Sequence, residues 1–245
     1  MTKRETLGMA IRHWPTFVSS VYKHNKLMKN NAKLEEKYML LSSILEKLHK
    51  YSKVNIESYG MENLDGKKPG ALFMGNHQGQ ADGPVIFTAL KDHPTSCLMN
   101  KKIKDNLFFQ YVINLVEAEL LDTTNLRSQV DTYNNMVSNI NEGKNYVIFP
   151  EGRHDNNKNE LLEFNTGCLT VAYKSRATIY PFCLYDAWKL YNSSYNGKDL
   201  NAECHFLKPI FYEEYKDLSK KQLSDLLKNR IQNKLNEIKK EKEKN

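Results

Sequence analysis

The chain has 245 residues, of which 40% are hydrophobic and 27% charged, and its formal net charge is +7. That near-average composition excludes a disordered, collagen-like or coiled-coil chain, and the length suits one large domain or one domain with an appendage. The surplus charge is local: residues 1–53 hold 11 Lys/Arg against 4 Asp/Glu, whereas residues 54–245 hold 25 of each.

From the N-terminus, Leu7, Ile11, Trp14, Val18 and Val21 recur at the spacing of one apolar helical face over 7–22, with Pro15 expected to kink it or start a second helix. Lys23, Lys26 and Lys29 follow as a basic stretch. A second helix is marked by Leu34, Tyr38, Leu41, Leu45 and Leu48. This basic amphipathic pair admits two readings: packed on a core with its lysines solvated, or laid on an anionic membrane surface. His13, His24 and His49 fall within it and read as solvated. Trp14 reads equally as an interfacial anchor or a core contact.

From residue 54 short apolar runs alternate with helical patterns. Strands are expected at 71–75, 95–99, 116–121, 146–149, 178–184 and 203–207. Helices are expected at 84–90, 106–115, 126–140, 166–173 and 219–239. The alternation predicts an α/β domain, layered, with a mostly parallel β-sheet flanked by helices and preceded by the N-terminal helical pair. The division is 1–53 for the basic helical segment and 54–245 for the domain.

Cys97, Cys168, Cys183 and Cys204 form neither a CxxC nor a zinc-like spacing and read as small buried residues of a reduced compartment. The longest stretch free of Asp, Glu, Lys and Arg is 13 residues, 69–81. A membrane span needs about 20 apolar residues, so none is expected. The N-terminus also lacks an apolar signal core followed by small residues.

In a parallel α/β sheet, chemistry gathers just beyond the carboxyl ends of strands. Two such ends stand out. After 71–75 comes Asn76-His77-Gln78-Gly79-Gln80-Ala81-Asp82. A loop entering a helix lets His77 and Asp82 meet, and a carboxylate fixes an imidazole's tautomer and stabilises its charged form. Asp82 also reads as an N-cap. After 146–149 comes Pro150-Glu151-Gly152-Arg153-His154. Gly152 permits a tight turn and Arg153 presents donors suited to a phosphate. Among the other histidines, His154 alone borders a motif; His93 precedes a proline in a turn and His205 reads as packing.

Together, Asn-His-x4-Asp and, some seventy residues on, Phe-Pro-Glu-Gly resemble the glycerolipid acyltransferase family. Lys101 after the strand that follows the first motif, Gly167 and Ala172 in the helix after the second, and Ile179-Tyr180-Pro181 in a later strand agree with it. The resemblance covers roughly residues 54–184. It implies transfer of a fatty acyl group from a thioester, acyl-CoA or acyl carrier protein, to the sn-2 hydroxyl of 1-acyl-sn-glycerol-3-phosphate, with glycerol-3-phosphate or another lysolipid as the alternative acceptor. It assigns His77 as general base, Asp82 as its partner, and Glu151, Gly152, Arg153, Lys101 and Arg127 to the acceptor. Amides near 79–83 would stabilise the oxyanion. No cofactor or metal is implied. The partners implied are a lysophospholipid, the acyl donor and an anionic membrane met through residues 1–53 on its cytoplasmic face.

Three positions depart from the family pattern. Thr123 stands where an Arg usually ends the second motif, with Arg127 one helical turn on. Arg153 follows Gly152 directly, where the family usually reads Glu-Gly-Thr-Arg-Ser. Asn165 replaces a frequent Lys. A metal-dependent phosphohydrolase built on His77, Asp82, Glu151 and His154 lacks a His-x-His or Asp-x-Asp core. A nucleic-acid-binding module is disfavoured by confinement of the charge to the first 53 residues, and no nucleic acid is expected as a partner.

Overall fold

The computed structural model describes residues 14–155, 157–192, 195 and 197–244, with backbone alone at 14–17, 107 and 108. Its described residues form one seven-stranded sheet in the order β1-β7-β6-β2-β5-β3-β4. The strands are β1 (Asn55–Tyr59), β2 (Leu72–Gly75), β3 (Thr95–Asn100), β4 (Glu119–Leu121), β5 (Asn145–Ile148), β6 (Ile179–Tyr185) and β7 (Asn201–Phe206). All neighbours pair in parallel except β6 with β7. This is the layered α/β architecture that the alternating pattern predicts.

The central strands β2, β5 and β6 are buried throughout, as parallel strands covered on both faces must be. Their side chains divide by the period of two. Phe73, Val147, Tyr180, Phe182 and Leu184 join one apolar layer. Leu72, Met74, Tyr146, Ile148, Ile179 and Cys183 join the other. The first layer is covered by α2 (Leu34–Ser52), α3 (Asp82–Ala89) and the end of α4 (Leu107–Val116). The second is covered by α5 (Leu126–Asn141), α6 (Leu169–Ser175), the short α7 (Tyr212–Tyr215) and α8 (Lys220–Lys242). Ser219 caps α8 through its hydroxyl, with Gln222 returning the bond to close a capping box.

The N-terminal pair behaves unevenly. Tyr38, Leu41 and Leu45 of α2 are buried in the first layer, and Tyr38 meets Phe87 edge to face. Lys37 Nζ reaches Glu117 Oε1 at 2.8 Å, and Lys144 Nζ reaches Glu117 Oε2 at 2.6 Å, tying α2 to the sheet's flank. The first helix, α1 (Trp14–Lys29), runs on through Lys23 and Lys26, because nothing between Tyr22 and Lys29 breaks a helix and basic residues suit its last turn. Leu7, Ile11, His13 and the side chain of Trp14 lie outside the described residues.

Three expectations change. His24 and His49 are buried rather than solvated: His24 stacks on Tyr111 at 4.1 Å, and burial lowers the His49 imidazole below its ordinary pKa. The strand expected at 116–121 shortens to β4, because α4 runs to Val116 and Glu117 turns the chain with φ +49°. The helix expected from residue 166 opens with a 3-10 turn, Thr166–Cys168, before α6. All four cysteines are buried, as expected.

Candidate active site

Pairing of β2 with β5 aligns Leu72 with Tyr146 and Met74 with Ile148. The same register, carried three residues past the last pair, sets His77 opposite Glu151. The structure keeps that alignment: the His77 backbone N–H donates to Glu151 Oε1 at 2.9 Å. On the other side of β2, Asn76 uses its side chain as a substitute for a strand. Its Nδ2 donates to the Leu184 carbonyl at 2.9 Å, and its Oδ1 accepts from the Leu184 N–H at 2.7 Å. The residue that follows is therefore held from both neighbouring strands.

Asp82 is fully buried, and its Oδ2 gathers three donors. His77 Nδ1 lies at 2.6 Å, the Gln78 N–H at 2.5 Å and the Gly79 N–H at 3.0 Å. Asp82 is the first residue of α3 and Ala81 is the N-cap, so the expected capping role is replaced by a reach backwards into the loop. A carboxylate oxygen accepts, so in this contact Nδ1 is the donor and Nε2 is the ring nitrogen that Asp82 leaves free. The ring is seated on Phe149, stacked at 4.6 Å and 20°, and the His154 ring stands against it at 4.9 Å and 76°. Gly75 makes that seat possible. A Cβ there would come within 2.3 Å of the Phe182 ring, which in turn packs edge-on to Phe149. About a fifth of the His77 side chain, 22%, is exposed.

Both oxygens of Glu151 are occupied, by the His77 N–H and by the Leu162 N–H at 3.0 Å, and the residue is only 6% exposed. The side chain expected to meet the acceptor thus clamps two loops. Burial raises its carboxyl above the ordinary range, against the pull of those amides. Gly152 takes φ +67° in the turn, with its N–H donating to the Phe149 carbonyl at 3.0 Å. Arg153 is 71% exposed in its side chain and pairs with Asp155 at 3.1 Å. The expectation of free amides for an oxyanion also narrows: the Gln78 and Gly79 amides are committed to Asp82.

Lys101 and Arg127 lie on the same carboxyl edge of the sheet, after β3 and β4. Lys101 pairs with Asp122 at 3.2 Å and both are solvent-accessible; Arg127 is exposed in the first turn of α5. Asn165, where the pattern has Lys, caps the following turn by accepting from the Gly167 N–H at 2.7 Å.

Sequence reading missed the loop between residues 150 and 165, closed at its base by the Asn165 N–H on the Pro150 carbonyl at 2.8 Å. Asn157 Nδ2 donates to the His77 carbonyl at 3.2 Å. Asn159 accepts from Gln78 Nε2 at 2.9 Å and donates to Asp186 at 2.8 Å. The available signal was the density of Asn directly after the second motif, since Asn readily bonds backbone in loops. Among the described residues no three of His, Cys, Asp or Glu converge to hold a metal ion, and no helix is long and apolar enough to cross a membrane.

Comparison with known proteins agrees with this architecture. The Acyltransferase family model matches residues 55–185, so the chain belongs to the acyltransferase family. It is 26% identical over 151 residues to the chloroplastic 1-acyl-sn-glycerol-3-phosphate acyltransferase LPAT1 of Arabidopsis thaliana, covering 61% of this chain and 41% of that protein. It is 25% identical over 179 residues to the 1-acyl-sn-glycerol-3-phosphate acyltransferase of Helicobacter pylori, covering 69% and 73%. The crystal structure of the 1-acyl-sn-glycerophosphate acyltransferase PlsC from Thermotoga maritima superposes with a TM-score of 0.73 at 13% identity, over 94% of this chain and 92% of that one. It shares the fold.

Proposed function

We propose that this protein transfers a fatty acyl group from a thioester, on coenzyme A or acyl carrier protein, to the sn-2 hydroxyl of 1-acyl-sn-glycerol-3-phosphate, yielding phosphatidate. The observation that carries the reading is the His77–Asp82 pair, 2.6 Å apart at the carboxyl end of a central strand in an acyltransferase-family chain. The names of the Arabidopsis and Helicobacter relatives support the choice of acceptor.

In this reading His77 Nε2 takes the acceptor's hydroxyl proton as its oxygen attacks the thioester carbonyl. Buried Asp82 stabilises the resulting imidazolium. Collapse of the tetrahedral adduct breaks the carbon–sulfur bond, and the thiolate leaves with the proton returned by His77. Glu151 acts as a positioning residue, holding the backbone that carries the base. Arg153, Lys101 and Arg127 supply exposed positive charge for the acceptor's phosphate.

Residues 1–53 hold the chain on the cytoplasmic face of an anionic membrane. Lys23, Lys26 and Lys29 of α1 are exposed, as are Val18 and Tyr22 on the same helix and Met39 on α2, Tyr22 at 70% and Met39 at 73%. Each such cation contributes about 1 kcal/mol near an anionic bilayer. Because α2 supplies core residues, charge reversal tests docking better than truncation does: K23E/K26E/K29E should release the protein from anionic vesicles while leaving its melting temperature unchanged.

The test of the reaction is an acceptor panel in which purified protein meets labelled acyl-CoA or acyl carrier protein and several lysolipids. Phosphatidate formed from lysophosphatidate supports the reading. Acylation confined to a phosphate-free acceptor overturns it.

A further inference from the structure

We propose that His154 is a positioning residue for the base: its ring completes the seat in which His77 is held, together with Asp82 and Phe149. The inference rests on the acyl-transfer reading for its kinetic consequences, and on geometry for its substance.

His154 is an exposed residue, yet its ring lies 4.9 Å from that of His77 at 76°, while Phe149 stacks on His77 at 4.6 Å and 20°. Three contacts of different kinds thus restrain one imidazole: a hydrogen bond from Nδ1 to the Asp82 carboxyl, a parallel ring and a perpendicular one. Aromatic pairs favour both the offset-stacked and the edge-to-face arrangement.

The backbone carrying His154 is fastened to the loop it serves. Upstream, Glu151 binds the His77 N–H and the Leu162 N–H, and Gly152 turns the chain at positive φ. Downstream, the Asp155 N–H donates to Asn157 Oδ1, and Asn157 Nδ2 donates to the His77 carbonyl. Arg153, between them, points elsewhere and pairs with Asp155.

The charge state follows from the neighbours. Partial burial, and then the nearby His77, lower the His154 imidazole below its ordinary pKa, with Asp82 and Asp155 acting in the opposite sense. Glu151, on the same loop, is held by amides. A second cation beside His77 would oppose the imidazolium that the reaction creates, so the neutral form of His154 is the one that serves the base.

The test compares His154→Ala with His154→Phe. The Ala variant should lower kcat about tenfold with KM unchanged, since loss of orientation at a reacting group costs rate rather than binding. The Phe variant, which restores a ring without a titrating nitrogen, should recover most of kcat. Three results would overturn the proposal: a change in KM alone, an Ala variant equal to wild type, or a Phe variant as slow as Ala. The His77 Cε1–H resonance keeps this separate from the proposed reaction. It should move in His154→Ala and return in His154→Phe even if no lysolipid is acylated; an unmoved resonance in both variants counts against the seat.

Discussion

Two stretches of the sheet's carboxyl edge differ sharply in how they hold their charged groups. Beyond β2 and β5, Asp82 is fully buried and takes three donors on one oxygen, and Glu151 is bound at both oxygens. Beyond β3 and β4, Lys101 and Asp122 meet in solvent and Arg127 is exposed in the first turn of a helix. The first stretch is tightly tied, because backbone amides bind Asp82 Oδ2 and both Glu151 oxygens, although Asp82 Oδ1 is buried without a partner among the described residues. The second is loose, since exposed ion pairs are screened and contribute little. Under the proposed reaction, chemistry that depends on tenths of an ångström would fall to the first, and recognition of a charged headgroup to the second.

That contrast predicts a graded series of effects. His77→Ala should cost most, about 10²- to 10⁴-fold in kcat/KM, the range a positioned general base supplies; a rate assay with a melting curve separates this from unfolding. A variant with near-wild-type transfer would remove His77 from the chemistry. Asp82→Asn should cost about 10²-fold, mostly in kcat, through a misoriented ring. Its carbonyl can still accept from the Gln78 and Gly79 amides, so the fold should survive; circular dichroism reports whether it does.

Glu151→Gln should act first on stability. One of the two amides that now meet carboxylate oxygens would face an NH2 group, and an unsatisfied buried donor costs about 1–3 kcal/mol. The pH dependence has a definite sign. Burial raises the folded-state pKa of Glu151, so its contribution to stability is fully present below the ordinary carboxylate range and falls as pH rises through the raised value. Gln lacks that ionisation. The destabilisation measured by urea titration should therefore be larger at pH 4 than at pH 7. The opposite trend would mean that the two amides outweigh burial.

Much of this contrast was legible from residue types. The fold follows from apolar runs such as Leu72–Gly75 and Ile179–Tyr185, bounded by turns and separated by helical spacing. His77 and Asp82 stand out only in company with Phe-Pro-Glu-Gly some seventy residues on, the combination that carries the family resemblance. What the chain does not spell out is which polar atoms a side chain spends on its own backbone. Glu151 reads as a ligand for substrate until Leu162 and His77 are seen to occupy it. Asn157 and Asn159 look like ordinary loop residues until the 150–165 loop folds back over His77. His24 reads as one more solvated residue of a basic helix until Tyr111, 87 positions away, stacks on it. These three turn on contacts distant in sequence, and periodicity carries only local information.

The smallest expected effect tests the loose stretch. Asp122 keeps its carboxyl ionised down to about pH 2, chiefly through the Thr124 hydroxyl and amide and then through Lys101. Across any ordinary assay range Lys101 therefore has a competitor for whatever anion approaches it. Asp122→Asn should release Lys101 and lower KM for a phosphate-bearing acceptor, whereas Lys101→Ala should raise it. Both changes should be about twofold to fivefold, the size of an exposed ion pair, with kcat unaltered. Added salt should shrink both, because screening acts on solvent-facing charges and leaves the buried centre alone. A large loss of kcat in Lys101→Ala would break the division between the two stretches, since it would place an exposed lysine in the same rigid assembly as His77 and Asp82.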